Sequence, residues 1–334
     1  MKFRRIISLA LSLCLVLGLL QISCLGAFAD DEILTSADGL WNYRVLNDGT
    51  AEIYNEEFAT AYLGNQAYVT VPDTIDGYTV TSIGDFAFFA NEYAVTVTIG
   101  DNITNIGLYA FVMCYFLESI NVDSNNANYV SVDGVLFDID QTCLYNYPCA
   151  KADSDYEVPD GVEVIMPAAF GMAANLETLV IPDSVVDIEG DAFTMCAMLS
   201  SVVLSENLTA IPDSSFYGCE SLLELTIPRS VTYIDRYAFD DSGLTTINGY
   251  YGTAAEEYAN EYGYTFVSLD VVIPGDIDGS GDVNISDYAM LKLYVSGEDM
   301  QLTAFQFNCA DFNSDGVIDA FDLYYADKLI NSLV

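Results

Sequence analysis

The chain has 334 residues, of which 9 are Lys or Arg, 50 are Asp or Glu and none is His, so its formal net charge is −41 at pH 7. Such a surface repels the phosphates of nucleic acids and anionic membranes, so neither is an expected partner. The lack of histidine excludes Ser-His-Asp and Cys-His catalysis and histidine-ligated zinc. With 52% hydrophobic residues, the chain still has enough apolar side chains for a packed core.

The first 29 residues have the pattern of an export signal. Three basic residues precede an apolar run over residues 6–20, and Ala27-Phe28-Ala29 matches the small-x-small cleavage pattern. A lipoprotein anchor at Cys24 is the alternative, but Gln21 stands where that motif requires an apolar residue. No later segment reaches the ~18 apolar residues of a membrane span. We therefore expect residues 1–29 to be a signal peptide and the protein to be exported and soluble.

Residues 30–80 are predicted to form an N-terminal cap and a first irregular repeat. Leu40–Val45 and Thr50–Tyr54 flank Asn47-Asp48-Gly49. Asp-Gly between two apolar segments is a strong signal for a β-hairpin.

The middle of the chain contains six copies of a 23-residue pattern. In each copy a small residue precedes a Phe, and successive Phe residues are separated by 23, 59, 23, 23 and 23 positions. The pairs are Ala87-Phe88, Ala110-Phe111, Ala169-Phe170, Ala192-Phe193, Ser215-Phe216 and Ala238-Phe239. Five residues before each Phe stands an isoleucine: Ile83, Ile106, Ile165, Ile188, Ile211 and Ile234. Apolar-x-apolar pairs follow, at Val97/Ile99, Ile120/Val122, Leu179/Ile181, Val202/Leu204 and Leu225/Ile227.

A repeat of this length predicts a solenoid over residues 81–270. One copy is too small to bury its apolar face, so the copies stack and share a continuous core. We expect the apolar-x-apolar pairs to form short strands of a parallel sheet. The segment from Ile to Phe is expected to be a turn or short helix, with Phe stacked on Phe in the core. The predicted fold class is a mixed α/β solenoid of short parallel strands.

The 59-residue interval contains an insertion, which we place at residues 123–160. Gly134–Phe137 and Cys143–Tyr147 flank turn residues, which indicates a second hairpin. Tyr145 and Tyr147 are either ordinary strand aromatics or a surface on which a sugar or peptide stacks.

Three cysteines share one repeat position, three residues after a Phe. They are Cys114, Cys196 and Cys219, and other copies have Asn91, Ala173 or Ser242 there. This exchange predicts small buried residues rather than obligatory disulfides. Cys143 and Cys149 are close in sequence, and export permits a disulfide between them; the sequence leaves that pairing open.

Residues 248–270 are predicted to close the solenoid as a C-terminal cap. Thr253-Ala254-Ala255-Glu256 has the pattern of a capping box for a helix that ends before Gly263. Tyr264–Leu269 is interpreted as a last strand.

The region from about residue 40 to residue 270 resembles the leucine-rich repeat proteins of the bacterial surface-antigen type. The resemblance rests on the repeat seen in Ile188–Phe193 with Leu199, on the Asp133–Phe137 hairpin and on the closing segment Tyr258–Tyr264. It implies a leucine-rich-repeat solenoid that recognises protein or surface ligands, with no common catalytic activity and no fixed binding residues.

Residues 271–334 contain two 12-residue segments, Asp276–Asp287 and Asp311–Asp322, whose starts lie 35 residues apart. In both, oxygen-bearing side chains stand at positions 1, 3, 5, 9 and 12 and glycine stands at position 6. Calcium takes about six to eight oxygen ligands, and the glycine allows the loop to turn sharply around it. Pro274-Gly275 disfavours a helix before the first loop, and a helix is predicted after each loop. We therefore interpret each unit as a loop followed by a helix.

Tandem loop-helix units at this spacing, with Asp at position 12, resemble the type I dockerin of cellulosomal proteins. The resemblance covers about residues 274–334 and implies a small all-α domain with two structural calcium ions. The implied first site comprises the side chains of Asp276, Asp278, Ser280 and Asp287, the Asp282 carbonyl and a water near Asn284. The implied second site comprises Asp311, Asn313, Asp315, Asp322, the Val317 carbonyl and Asp319. Ser280 is a weaker ligand than the usual Asp or Asn.

The same resemblance implies a cohesin module of a scaffoldin as partner, in a cellulosome at the bacterial cell surface, where such assemblies serve polysaccharide degradation. The implied contacts lie at loop positions 10 and 11 and on the helix faces: Ile285, Ser286, Lys292, Ala320, Phe321 and Lys328. The two lysines have the alternative interpretation of solvated surface residues. Because the halves differ at positions 10 and 11, we expect a single binding orientation.

These features predict a secreted protein that is not an enzyme and needs no catalytic residue. Its dockerin would attach it to a scaffoldin, and its solenoid would bind a protein, glycan or surface ligand. A glycoside hydrolase using two carboxylates is one alternative, although a repeat solenoid offers no deep cleft. A calcium-dependent adhesin without a scaffoldin partner is another.

Overall fold

The computed structural model describes residues 32–56, 58–298 and 300–333. The predicted export signal at residues 1–29 lies outside them. The described residues fall into two compact units. The first runs to Asp153 and includes Val164–Asn175 and Asp191–Cys196, and the second comprises Ser154–Glu163, Leu176–Gly190 and the residues from Ala197 onward.

The described residues form 22 short strands and four helices. The strands are β1 (Leu34–Thr35), β2 (Asn42–Val45), β3 (Ala51–Ile53), β4 (Tyr68–Thr70), β5 (Thr74–Ile75), β6 (Tyr78–Ile83), β7 (Thr96–Ile99), β8 (Asn105–Ile106), β9 (Ser119–Val122), β10 (Tyr129–Val132), β11 (Val135–Asp138), β12 (Cys143–Asn146), β13 (Asp155–Glu157), β14 (Val164–Ile165), β15 (Thr178–Val180), β16 (Asp187–Ile188), β17 (Ser201–Val203), β18 (Ala210–Ile211), β19 (Glu224–Thr226), β20 (Tyr233–Ile234), β21 (Thr246–Gly249) and β22 (Thr265–Ser268). The helices are α1 (Ala254–Tyr262), α2 (Ile285–Val295), α3 (Ala304–Ala310) and α4 (Ala320–Leu333).

The solenoid has about eight turns, which confirms the predicted fold class. In the first unit, β4, β7 and β9 pair in parallel, with Val69 opposite Val97 and Val97 opposite Ile120. The β2–β3 pair is antiparallel and confirms the N-terminal hairpin. The β11–β12 pair confirms the hairpin of the insertion. The alternating apolar side chains point inward because successive residues of a strand face opposite sides.

A second row of strands carries the repeat isoleucines, so the prediction of a turn or short helix was wrong for this part of the repeat. Ile53 pairs with Ile83 and Ile83 with Ile106, all in parallel strands. An isoleucine side chain that points inward from a strand packs well on a pleated sheet. The next turn of the solenoid supplies the backbone hydrogen-bond partners of that strand. Only the small-Phe segment that follows is a turn.

The ring stack at the small-Phe positions, here called the aromatic ladder, includes a member that the repeat pattern missed. Phe88 stacks on Phe111 at 5.2 Å, and Tyr147 stacks on Phe170 at 5.1 Å between ring centroids. The Tyr147 N–H donates to the Ala169 carbonyl at 2.7 Å, as the Phe88 N–H does to Ala110 at 2.8 Å. Tyr147 is 1% exposed. The suggestion that it stacks on an external ligand is therefore wrong, because it is core.

Tyr145 is half-buried and packs against the core of the first unit. Its ring meets the ring of Tyr129 edge-on at 5.3 Å. The insertion thus contributes one ladder turn of its own in addition to the hairpin.

The repeat cysteines are buried small residues, as predicted. The Cys114 thiol donates to the Phe88 carbonyl at 3.1 Å and the Cys196 thiol to the Phe170 carbonyl at 3.0 Å. Cys149 is also buried and carries a free thiol, so it forms no disulfide with Cys143. Burial raises the pKa of Cys149 to about 12, which keeps this thiol protonated and unreactive.

The second unit continues the same architecture in its own turns. Strands β13, β15 and β17 pair in parallel, as do β19, β21 and β22. Phe216 stacks on Phe239 at 5.5 Å. Tyr258 of α1 then meets Phe239 at 5.7 Å and closes the core.

Helix α1 lies where the sequence predicts it, but its predicted capping box does not form. The Glu256 carboxylate accepts from the Gly252 N–H at 2.7 Å, and the Thr253 hydroxyl donates to the Tyr250 carbonyl at 2.7 Å. Both side chains therefore hydrogen-bond to the backbone of the turn before the helix instead of forming the capping box. Gly263 ends the helix with a left-handed φ of +82°, a conformation in which glycine has no Cβ penalty.

The C-terminal helical region packs α2, α3 and α4 around a small core of Ile277, Leu291, Cys309, Ala310, Ile318 and Ala326. The helix predicted after each loop is present, as α2 and α4, but α3 ends directly before the second loop, so this unit also has an entering helix that the interpretation did not include. Thr303 and Gln306 form a reciprocal capping box that starts this helix. Among the described residues, no helix is long and apolar enough to cross a membrane.

Candidate metal centres

The two acidic loops share one backbone path. At position 4, Gly279 and Ser314 have φ of +71° and +56°, and at position 6, Gly281 and Gly316 have φ of +86° and +78°. These left-handed residues fold each loop back on itself. Position 6 is glycine in both because a left-handed residue with a Cβ is strained.

The first and last acidic residues of each loop hold the backbone from inside. Oδ2 of Asp276 accepts from the Gly281 N–H at 2.9 Å, and Oδ2 of Asp311 accepts from the Gly316 N–H at 2.9 Å. The Asp287 carboxylate accepts from the N–H groups of Ile277, Asp278 and Asn284 at 2.7, 2.9 and 2.8 Å. The Asp322 carboxylate accepts from Phe312 and Asp319, both at 2.9 Å.

The first loop gathers carboxylate oxygens around one point. One oxygen from each of Asp276, Asp278 and Asp287 lies within 4.8 Å of the other two. Asp276 is 3% exposed, and its Oδ1 is buried without a hydrogen-bond partner. Burying an unsatisfied carboxylate oxygen among other carboxylates is costly, and a bound cation would remove that cost. The residues present therefore fit a hard divalent cation.

The middle of the first loop adds neutral oxygens. The Asp282 carbonyl lies 3.3 Å from Oγ of Ser280 and 3.0 Å from Nδ2 of Asn284. The hydroxyl of Ser280, then its N–H, lower the pKa of Asp278 by hydrogen bonding, which favours the ionised carboxylate. A hydroxyl, a carbonyl and three carboxylates form the oxygen set that calcium prefers.

The second loop presents the corresponding residues in a different hydrogen-bonding arrangement. Nδ2 of Asn313 donates to Oδ2 of Asp315 at 2.8 Å, and the Asp315 N–H donates to Oδ1 of Asp311 at 3.2 Å. Oδ1 of Asp319 accepts from the Phe321 N–H at 2.7 Å and so starts α4. Asn284 acts in the same way at the start of α2.

The sequence-predicted contact residues Ile285, Ser286, Lys292, Ala320, Phe321 and Lys328 are all exposed. The first three lie on α2 and the last three on α4. Nζ of Lys328 lies 4.9 Å from the centre of the Tyr324 ring.

Two exposed aromatic residues on α4 escaped the sequence interpretation. The Tyr325 ring lies 5.1 Å from the Phe321 ring and 5.7 Å from the Tyr324 ring. The spacing of four between Phe321 and Tyr325 could have identified this pair, since such residues share one helix face.

Comparison with protein families identifies both parts of the chain. Residues 51–133 and 138–259 match the BspA-type leucine-rich repeat region in six copies, and residues 274–331 match the type I dockerin domain. Both are non-catalytic modules, and type I dockerin domains bind calcium. None of the curated proteins matches the chain.

Several solved structures are similar to the chain. A leucine-rich cell surface protein from Faecalibacterium prausnitzii is 20% identical, with a TM-score of 0.45, over 73% of this chain and 97% of that one. The pneumococcal vaccine antigen PcpA is 17% identical, with a TM-score of 0.40, over 66% and 82% of the respective chains. A leucine-rich repeat protein from Bacteroides capillosus is 32% identical, with a TM-score of 0.33, over 36% and 98%.

Proposed function

We propose that this chain, which belongs to the BspA-type leucine-rich repeat family and ends in a type I dockerin domain, is a secreted, non-catalytic component of a cellulosome. Its dockerin binds a cohesin module of a scaffoldin, and its solenoid binds a protein, glycan or surface ligand. The observation that carries the proposal is the buried, unpartnered Oδ1 of Asp276 beside the carboxylates of Asp278 and Asp287. That arrangement is costly without a cation, and dockerins are calcium-binding domains.

Calcium has a structural role in this proposal, with one ion in each loop. The first ion is held by the residues from Asp276 to Asp287 and the second by those from Asp311 to Asp322. The helical region has few buried apolar side chains. A domain of this size gains much of its folding free energy from bound metal.

The cohesin-facing surface of the proposal consists of the exposed sides of α2 and α4. Ile285 at position 10 of the first loop and Phe321 at position 11 of the second support this assignment because they are 67% and 50% exposed. Exposed apolar side chains of this kind are typical of a protein interface. The second half adds Tyr324 and Tyr325, so the halves differ and one orientation is favoured.

The solenoid ligand is proposed to contact the outward faces of the parallel strands. In the first unit these faces carry side chains such as Tyr68, Thr70, Thr96 and Thr98, and Tyr68 is 77% exposed. Hydroxyl-bearing and aromatic side chains suit a polar protein or glycan surface.

A capture experiment tests the proposal. Immobilised cohesin modules should retain the chain in calcium and release it in EDTA. The double variant Asp276→Ala/Asp287→Ala should lose retention, and a matched variant of two exposed solenoid carboxylates, Glu220→Ala/Glu224→Ala, should keep it. Calcium-dependent binding to cells with no retention on any cohesin would instead indicate a free adhesin. Hydrolysis of a cell-wall polysaccharide by the purified chain would contradict the non-catalytic role.

A further inference from the structure

The solenoid cap and the dockerin of this chain touch each other through a small set of side chains. Nδ2 of Asn308 on α3 donates to the Tyr251 hydroxyl at 2.9 Å. The Phe305 ring on the same helix lies 6.1 Å from the Tyr251 ring. Tyr251 is itself fixed within the cap, because its N–H donates to Asp270 at 2.7 Å and its ring lies 5.8 Å from that of Phe266.

The first calcium loop forms part of this contact. A cavity of about 290 Å³ separates the two parts, lined on the cap side by Arg229, Tyr251 and Asp270 and on the dockerin side by Asp278, Gly279 and Phe305 among others. A Cβ added to Gly279 would lie only 3.3 Å from the Phe305 ring. The backbone of the first loop therefore packs against the Phe305 ring, which in turn contacts the Tyr251 ring. Among the described residues that line this cavity, none belongs to the second loop.

The connecting segment does little to hold the two parts together. Val271, Val272 and Ile273 are all exposed, and Val271 is 80% exposed. Val271 is too exposed to fix the orientation of the two parts, so we take that orientation to depend on the contact between Tyr251 and α3.

We propose that calcium in the first loop locks the solenoid cap onto α3, so that the two parts move as one body when this loop is filled. The proposal rests on the calcium site proposed for Asp276–Asp287. Three carboxylates within 4.8 Å repel one another when no cation is present, and the loop then gains conformational freedom. The Phe305 ring then loses its packing against the loop backbone at Gly279. When calcium binds, the loop regains its ordered conformation and supports the Phe305 ring, so that Tyr251 regains its contact with α3. Helices α2 and α4 stay exposed for a partner.

Reciprocity makes the proposal testable from outside the dockerin. If calcium in the first loop favours the contact, the contact must favour calcium by the same factor. Tyr251→Ala removes the ring contacts with Phe305 and Phe266 and the hydroxyl that accepts from Asn308. We expect it to weaken calcium binding at one of two sites by about threefold to tenfold and to leave the other unchanged. Calorimetric titration of the chain from Asp30 to Val334 measures both sites.

Small-angle X-ray scattering of the same chain measures the orientation. In calcium the wild type should have the smaller radius of gyration, because its dockerin is held against the cap, and Tyr251→Ala in calcium should show the larger radius of gyration of a dockerin on a flexible link. Asp278→Ala, at position 3 of the first loop, should do the same. Asp327→Ala, which removes an exposed carboxylate of α4 outside both loops, is the matched control and should scatter as the wild type does.

Two results would overturn the proposal. One is a Tyr251→Ala chain that binds calcium and scatters as the wild type does. The other is Asp327→Ala loosening the chain while Asp278→Ala does not. Accessibility of the buried Cys309 thiol would reveal a dockerin unfolded by Asp278→Ala. In that case the comparison of Tyr251→Ala with the wild type still tests the proposal. Failure of every cohesin module to bind would remove the proposed function but would not change these readouts.

Discussion

The ring of Tyr147 stacks on the ring of Phe170 at 5.1 Å, with an angle of 25° between their planes. Tyr147 therefore fills the place that Phe fills in the other copies and belongs to the core. Its hydroxyl lies 3.5 Å from the Asp153 carbonyl, a long distance for a hydrogen bond.

This stacking predicts unequal effects of two substitutions. Tyr147→Phe keeps the ring and should cost less than about 1 kcal/mol of unfolding free energy, since the long hydrogen bond contributes little. Tyr147→Ala leaves a cavity in a core that cannot collapse and should cost about 3–5 kcal/mol. Thermal unfolding followed by circular dichroism measures both. Tyr68→Ala, at a position 77% exposed, should change little. Equal melting temperatures for Tyr147→Ala and Tyr68→Ala would contradict the assignment of Tyr147 to the core.

The regular copies could be predicted because one residue type recurs at one spacing. The Tyr147 turn could not be predicted in this way because its spacing differs. Leu144, which pairs with Ile165, stands three residues before Tyr147, whereas the repeat isoleucines stand five residues before each Phe. The second row of strands was missed because two-residue strands leave no alternation to detect. Their pairing comes from the neighbouring turn, which a local pattern does not contain.

The metal loops could be identified from spacing because calcium ligation fixes residue types at fixed positions. The contact between Tyr251 and α3 could not be identified from the sequence, since the residues that form it lie more than fifty positions apart and follow no repeat. Helix α3 had a signal, the Thr303 and Gln306 capping box, which the loop-helix interpretation overlooked.

The left-handed glycines of the loops predict a loss of calcium affinity on substitution. Gly281→Ala and Gly316→Ala add a Cβ that would meet no atom within 4 Å, so only backbone strain changes. That strain is about 1–2 kcal/mol, which corresponds to roughly tenfold weaker calcium binding at the altered site. Calorimetric titration measures it.

Gly297→Ala is the matched control for this prediction. Gly297 also has a left-handed φ, +77°, and open space around it, but it follows α2 and lies outside both loops. It should lower the melting temperature while calcium affinity stays within about twofold of the wild type. Wild-type affinity in Gly281→Ala would show that the loop does not need this conformation to hold the ion.

Position 5 is one of three positions at which the ligand side chains of the two loops differ. Ser280 supplies a neutral hydroxyl where Asp315 supplies a carboxylate, and calcium affinity rises with the charge of the ligands. Ser280→Asp should therefore strengthen the first site, and Asp315→Ser should weaken the second, each by about tenfold. Titration with a competing chelator measures both. Ser280→Asp binding more weakly than the wild type would mean that repulsion from Asp276 and Asp278 outweighs the added ligand.

The buried thiol of Cys309 reports on whether metal holds the helical region together. Cys309 is 0% exposed and packs with Ile277 and Leu291, so iodoacetamide should not reach it in calcium. Removing the metal with EDTA should expose it, because the small core lacks the area to stay folded alone. Mass spectrometry after labelling at pH 8 identifies the modified residue. Cys149 is the internal control: its pKa is raised by burial to about 12 and its turn contains no metal ligand, so it should stay unlabelled in both conditions. Protection of Cys309 in EDTA would mean that the helices are stable without calcium, and labelling of both cysteines would mean that EDTA unfolds the whole chain.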